Sequence, residues 1–166
     1  SLCRLCEVEV VGQPNPVCAC STPVAEGLSI RTHSPRLEDY RAGLLEMLAR
    51  RYPADAPFAD PDHPFHRLLE AHGVTATGVP DPARRDDTHP YLKMDMNRCI
   101  LCQRCVRICA EVQGQFVWKV VERGGQARVE PGVASRLADS PCVSCGACAD
   151  RSASSCKTPS SSVTRS

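Results

Sequence analysis

Apolar positions along this chain change period more than once. Near the N-terminus they alternate, in Glu7-Val8-Glu9-Val10 and again in Leu28-Ser29-Ile30, a period of two that predicts short half-buried strands. From Ser34-Pro35 onward the period becomes helical, with Pro at a favoured first helical position. Leu37, Tyr40, Leu44, Met47 and Leu48 put one apolar stripe on RLEDYRAGLLEMLARR, and Pro53 and Pro57 end it. A second short helix is predicted through PFHRLLEAH, stopping at Gly73. GVTATGVPDPARRDDTHP then reads as a linker, rich in Gly, Pro, Thr and Asp. Further on, GQFVWKVVERGGQARVEPG carries two β-prone arms around Gly124-Gly125, a hairpin signal. The closing KTPSSSVTRS is low-complexity and expected to be disordered.

Composition adds a problem to this outline. Three Phe, three Tyr and one Trp stand against 14 Pro and 10 Gly among 166 residues. That is thin material for an aromatic core, so something else must hold parts of the fold together. Twelve cysteines are the candidate. They come in tight C-x2-C runs, a spacing that suits a metal better than mutual disulfides. SLCRLCEVEV has neither the basic start nor the apolar run of a signal peptide. No apolar stretch approaches the roughly 20 residues of a membrane helix. A formal net charge of +1 points to neither nucleic acid nor an anionic membrane as partner. The expectation is a cytoplasmic protein. The chain also opens inside a motif without an initiator Met, and is expected to be a fragment of a longer one.

The strongest motif is Cys99-x2-Cys102-x2-Cys105-x3-Cys109. Iron–sulfur clusters take thiolates, and a C-x2-C-x2-C loop wraps three of them around one face of a cubane. The fourth cysteine of such a run ligates the other cluster when two are present. Ala110 stands where proline usually follows. A second run, Cys142-x2-Cys145-x2-Cys148, has Ser152 where its fourth cysteine belongs, and the nearest thiol is Cys156. By the exchange rule Cys142, Cys145 and Cys148 take Cys109 and make a complete [4Fe–4S] site. Cys99, Cys102 and Cys105 are left short. Three outcomes are open for them: Cys156 reaches the cluster over a longer loop, an oxygen ligand such as Ser152 or water substitutes, or a three-iron cluster remains. The bland alternative is a corrupted or truncated gene end from about residue 151 onward. An all-thiolate zinc site is the plainer use of four such thiols, but zinc motifs usually come as two C-x2-C pairs. At the other end, Cys3-x2-Cys6 with Cys20, or Cys18, offers three ligands for a [2Fe–2S] cluster. Plant-type ferredoxins place one more cysteine upstream of the pair, and neither Ser1 nor Leu2 can replace it.

CRLCEVEVVG, CSTPVAEGLSIRT, DMNRCILCQRCVRICAEVQGQ and SPCVSCGACAD occur in that order. The series resembles the N-terminal iron–sulfur region shared by three subunit types. They are the alpha subunit of molybdenum- or tungsten-dependent formate dehydrogenases, the large iron–sulfur subunit of respiratory complex I, and the small diaphorase-side subunit of NAD-reducing hydrogenases. The resemblance implies that Cys20, with Pro23 and Val24 after it, is the [2Fe–2S] ligand and Cys18 a bystander. Cys3 and Cys6 match the family's middle pair, with the first ligand upstream of the sequence. Many members of the family carry His-Pro-x-Asp-Cys-x2-Cys and a third Cys in the middle region, holding an extra [4Fe–4S] cluster. Here Tyr52 replaces the His, Ala56 and Ala59 replace two Cys, and Phe65 sits near the third, while Pro53 and Asp55 survive. His63, His66 and His72 lie nearby without thiolates and are read as ordinary helix and loop residues. The missing site counts against complex I and favours the formate dehydrogenase group.

The expected fold is α+β in four parts. Residues 1–33 form a partial [2Fe–2S] ferredoxin-like segment, and 34–90 a short helical region with a linker. Residues 91–156 form a bacterial 2[4Fe–4S] ferredoxin-like domain, and 157–166 a disordered tail. The implied role is electron transfer within an oxidoreductase whose catalytic domain is absent here. The resemblance names its partners as a molybdopterin catalytic domain or subunit and a flavin/NAD diaphorase subunit. Arg98, Arg104 and Arg107 sit beside cluster ligands, where they would raise potential, dock an acidic partner or simply form a solvated face. The competing readings are a zinc-binding structural or interaction module, a dead gene remnant, and a hydrogenase or complex I subunit.

Overall fold

The computed structural model describes residues 2–89, 92–132 and 136–141, together with the backbone of 156–157. It has two compact units, residues 1–79 with 100–102 and residues 80–99 with 103–166.

In the first unit the alternating segment folds as expected. Strand β1 (Glu7–Val10) lies between β2 (Val17–Cys18) and β3 (Ile30–Arg31) in an antiparallel sheet. The register sets Glu7 opposite Cys18, Val8 opposite Val17, and Val10 opposite Ile30. Helix α1 (Pro35–Ala49) starts where Ser34-Pro35 predicts, and the Ser34 hydroxyl accepts the Leu37 N–H at 3.2 Å. Its buried face is turned from the predicted one. Leu37, Leu45, Leu48 and Ala49 are buried, whereas Tyr40 and Met47 are 45% and 63% exposed. Two short helices follow, α2 (Ala56–Ala59) and α3 (Pro64–Ala71). The second ends as predicted at Gly73, whose φ of +63° is a left-handed cap conformation. The Gly73 and Val74 amides donate back to Glu70 and Leu69 carbonyls, each at 2.9 Å, and close the last turn.

One apolar cluster joins these helices. It contains Cys3, Leu45, Leu48, Ala49, Tyr52, Ala56, Phe65, Leu69 and Ala76. The supposed linker is therefore part of the fold: Ala76 is buried in the cluster and Gly78 bridges Pro53. Composition misled here because the partners of this loop lie about two dozen residues upstream, beyond any local pattern.

In the second unit the same stretch supplies β4 (Arg85–Asp86). It pairs antiparallel with β5 (Lys93–Asp95), which pairs in turn with β8 (Cys156–Lys157). The helix α4 (Arg104–Arg107) runs on into a π-helical turn, Ile108–Val112. The predicted hairpin is present as β6 (Trp118–Val121) and β7 (Arg128–Pro131), with Gly124–Gln126 turning between them. Val117, Trp118, Val129 and Leu137 are buried in this unit. The described residues are thus α+β, with short elements joined by long loops. Among the described residues no helix is long and apolar enough to cross a membrane.

Candidate metal centres

The first cysteine group hangs on the β1–β2 pairing. That register puts Cys18 beside the start of β1, and the Ala19 N–H donates to the Cys6 carbonyl at 3.0 Å. The loop beyond is tied down at the Cys18 carbonyl, which accepts the Ser21 N–H at 3.1 Å and the Thr22 hydroxyl at 2.8 Å. Burial pushes the Cys6 thiol above its ordinary pKa, against the pull of a hydrogen bond from the Cys20 backbone. The Cys20 and Cys18 side chains add to the rise. Cys3 is buried against the core of the first unit. Between Cys3 and Cys6, Arg4 has a left-handed backbone (φ 52°) and its guanidinium meets the buried Glu7 carboxylate at 2.5 Å. The Glu7 charge holds the Arg4 guanidinium above its ordinary pKa, with a smaller contribution from Cys18 and some opposition from burial.

The second group starts at a built entry to Cys99. Asp95 caps the turn Met96–Arg98 by accepting the Asn97 N–H at 3.1 Å, and the Cys99 N–H closes the turn on the Met96 carbonyl at 3.2 Å. The buried Asn97 side chain accepts the Asp81 N–H at 2.9 Å and donates to the Asp81 carbonyl at 3.0 Å. Asn97 was missed from sequence, although an Asp two residues ahead of a turn residue is a recognisable cap signal. On either side of Cys102, Leu101 and Gln103 both have φ near +60°. Cys102 is partly buried against the apolar cluster of the first unit. In the second unit Cys105 lies on α4 and Cys109 on the π-helical turn. Cys109 is buried, and its sulfur accepts the Val117 N–H at 3.3 Å. Cys142, Cys145, Cys148 and Ser152 lie outside the described residues. Of Cys156 the backbone is described, opposite Met94 in β8.

The middle region packs Tyr52, Ala56 and Phe65 into the apolar core. Tyr52 and Phe65 are 1% and 4% exposed, with ring centroids 4.8 Å apart, and Ala56 is fully buried beside them in the apolar cluster. The Tyr52 hydroxyl bonds His66 Nε2 at 2.8 Å, and His66 Nδ1 bonds the Asp60 carbonyl at 2.5 Å. His63 caps α3 through the Phe65 N–H and its ring packs tilted against His66 with centroids 4.8 Å apart, while His72 ends α3 at 3.7 Å from Glu38. All three histidines cap or pack.

Among the described residues no three His, Cys, Asp or Glu side chains converge as they stand on one metal ion. The test of fit is then the chemistry of the donors. They are thiols, several of them buried, and the Cys109 sulfur accepts a backbone amide. Three non-glycine residues in the left-handed region stand inside the two C-x2-C motifs. Each such residue costs on the order of 1 kcal/mol and persists only where the surroundings enforce it, most often at functional sites. Soft thiolate loops of this kind fit iron–sulfur clusters.

A small α+β scaffold with cysteine loops at this spacing defines a ferredoxin-type electron carrier. Residues 1–35 match a 2Fe-2S iron-sulfur cluster binding domain, and residues 89–144 match the ferredoxin-like domain of NADH-quinone oxidoreductase subunit 3. The chain is 36% identical over 155 residues to an NADH-quinone oxidoreductase subunit of Rhizobium meliloti, covering 89% of this chain and 18% of that protein. It is 34% identical over 151 residues to NADP-reducing hydrogenase subunit HndD of Solidesulfovibrio fructosivorans, covering 88% of this chain and 26% of that protein. The crystal structure of an NAD+-reducing [NiFe]-hydrogenase in the H2-reduced state contains a chain of the same fold. There the TM-score is 0.70 and the identity 30%, over 99% of this chain and 72% of that one. The chain therefore belongs to the iron–sulfur electron-transfer modules of the NADH-quinone oxidoreductase and NAD-reducing hydrogenase family. It spans about a fifth to a quarter of the length of the two curated relatives named. Neither of them is a formate dehydrogenase, so of the three subunit types resembled in sequence these comparisons support the complex I and hydrogenase types.

Proposed function

We propose that this chain relays single electrons between an NAD(P)- or flavin-bearing partner and a second redox centre outside it, in the cytoplasm. Cys109, Cys142, Cys145 and Cys148 hold one [4Fe–4S] cluster. Cys99, Cys102 and Cys105 hold a second, as [4Fe–4S] with Cys156 or as [3Fe–4S] without a fourth thiolate. Cys3, Cys6 and Cys20 belong to a [2Fe–2S] site. Bound clusters supply one-electron redox chemistry, and this chain's residues bind them, bury their sulfur and direct amides at it. The observation that carries the reading is the run of left-handed non-glycine residues, Arg4, Leu101 and Gln103, inside the C-x2-C motifs.

A second, finer reading makes the outside centre a molybdopterin domain that oxidises formate. It is favoured by the apolar core at Tyr52, Ala56 and Phe65, where many relatives of the other types would carry ligands. Formate- and NADH-dependent reduction of the protein in its native assembly separates the two. Reduction by NADH with none by formate removes the formate reading.

The relay itself is tested by iron, acid-labile sulfide and EPR on protein purified without oxygen. Roughly seven to eight irons with matching sulfide from the two cubane-type sites is the expected result, with two more where the [2Fe–2S] site is filled. About four irons would leave only the Cys109, Cys142, Cys145, Cys148 cluster. Zinc without sulfide would overturn the proposal in favour of a structural zinc module.

A further inference from the structure

The backbone between Cys109 and β6 is bent in a way its side chains do not require. After the π-helical turn, Gln113 N–H closes on the Ile108 carbonyl and Gln115 N–H on the Cys109 carbonyl, both at 3.0 Å. Gly114 (φ 63°) and Phe116 (φ 52°) are then both left-handed. The Phe116 ring is 63% exposed, so its unfavourable backbone does not serve to bury the ring. The reversal brings the Val117 N–H onto the Cys109 sulfur at 3.3 Å. Val117 is fully buried, so its amide has no water to turn to, and its carbonyl is fixed in turn by the Gly132 N–H at 2.6 Å.

From this geometry we infer that the Val117 amide tunes the cluster held through Cys109, favouring its reduced form and raising its midpoint potential. The inference rests on the reading of Cys109 as a ligand. Reduction adds one electron and breaks no bond, and the added negative charge spreads onto the sulfurs. A fixed N–H dipole aimed at one sulfur stabilises that charge, and burial strengthens the interaction by lowering the local dielectric. Val117 is thus a positioning residue that acts through its backbone alone. Any side chain filling the same space serves equally well.

The test replaces Val117 by its α-hydroxy analogue in the full chain, exchanging one amide for an ester and leaving the side chain intact. Iron and sulfide are measured first, and then an EPR-monitored titration with dithionite as the electron source. The expected result is unchanged iron and a lower midpoint for one cluster. At fixed solution potential its reduced-to-oxidised ratio falls about tenfold, which is about 59 mV for a one-electron couple. Unchanged iron with an unchanged or higher midpoint overturns the inference and leaves the ligand reading standing. Full iron in Cys109→Ala overturns the ligand reading, and the inference with it. Should the ester chain fail to hold iron, pulsed EPR on the unaltered chain labelled with [15N]valine reads the same bond. A 15N coupling to the reduced cluster that disappears in Val117→Ile, whose amide is unlabelled, supports the inference. A signal that is absent, or that survives Val117→Ile, overturns it.

Discussion

The Tyr52 hydroxyl and His66 Nε2 lie 2.8 Å apart, both on buried side chains. The direction of the bond follows from the other end of the ring. His66 Nδ1 meets the Asp60 carbonyl, which can only accept, so Nδ1 carries the hydrogen and Nε2 of the neutral imidazole accepts from Tyr52. Tyr52→Phe removes that donor and leaves a buried acceptor unsatisfied. The expected loss is about 1–2 kcal/mol of stability, read as a lower urea midpoint, with iron content unchanged. A loss of iron in this variant would mean the element still serves a metal site, against the apolar packing of Tyr52, Ala56 and Phe65.

How much of this was legible in the sequence depends on distance along the chain. The start of α1 was readable because its cap is local, Ser34 to Leu37. Its buried face was not, since Leu45 and Ala49 are chosen over Tyr40 and Met47 by the aromatic pair Tyr52 and Phe65 with which they cluster. The cysteine motifs were readable because their spacing is local too. What surrounds them was hidden, because the Val117 N–H that meets Cys109 is a backbone group that every residue except proline possesses. Arg4, Leu101 and Gln103 gave no sign of left-handed conformations that Gly or Asn would have announced.

The proposed exchange of the fourth ligand between clusters predicts unequal effects of single cysteine substitutions. Cys109→Ala should remove the cluster shared with Cys142, Cys145 and Cys148, about four irons, while leaving the Cys99 site filled. Cys99→Ala should do the reverse. EPR of the two reduced variants should then show different cubane-type signals, each from the one cluster that remains. Identical spectra from both would show that the cysteines do not divide in this way.

Gly78 is held between backbone neighbours. Its N–H donates to the Tyr52 carbonyl at 2.8 Å, and its own carbonyl accepts the Ala54 N–H at 3.1 Å. A Cβ added there would stand 2.5 Å from the Arg51 carbonyl carbon and 2.7 Å from the Tyr52 oxygen, both rigid main-chain atoms. Gly78→Ala must therefore part the Pro53–Gly78 bridge, at a cost of about 1–3 kcal/mol. Thermal unfolding should show a clear drop. The exposed Gly43, in α1 with open space around its Cβ position, is the control: Gly43→Ala should be neutral or stabilising, because alanine favours the helix. Equal effects at the two positions would count against the close approach.

Asp86 fastens β4 to the segment that leads toward Cys142. Its Oδ2 accepts the Leu137 N–H at 2.6 Å, and its Oδ1 accepts the Thr88 N–H at 2.9 Å and the Thr88 hydroxyl at 2.5 Å. The Thr88 oxygen in turn accepts the Ala138 N–H at 3.3 Å. Burial pulls the Asp86 pKa upward, but the donors from Thr88 and Leu137 and the Arg136 charge outweigh it, so the carboxyl ends below its ordinary 3.8. A depressed pKa stabilises the fold wherever the unfolded carboxyl is also ionised, and that contribution fades as pH falls from 3.8 through the folded value. Asp86→Asn keeps the shape but presents an amide where at least one donor now points. For this half-exposed group the expected cost is about 1–2 kcal/mol. The gap in urea midpoint between parent and Asp86→Asn should be the same at about pH 7, 6 and 5, because both pKa values lie below that range. It should close only below 3.8. A gap that narrows already between about pH 7 and pH 5 would place the titration on another group, and the Asp86–Leu137 bond would not be its source.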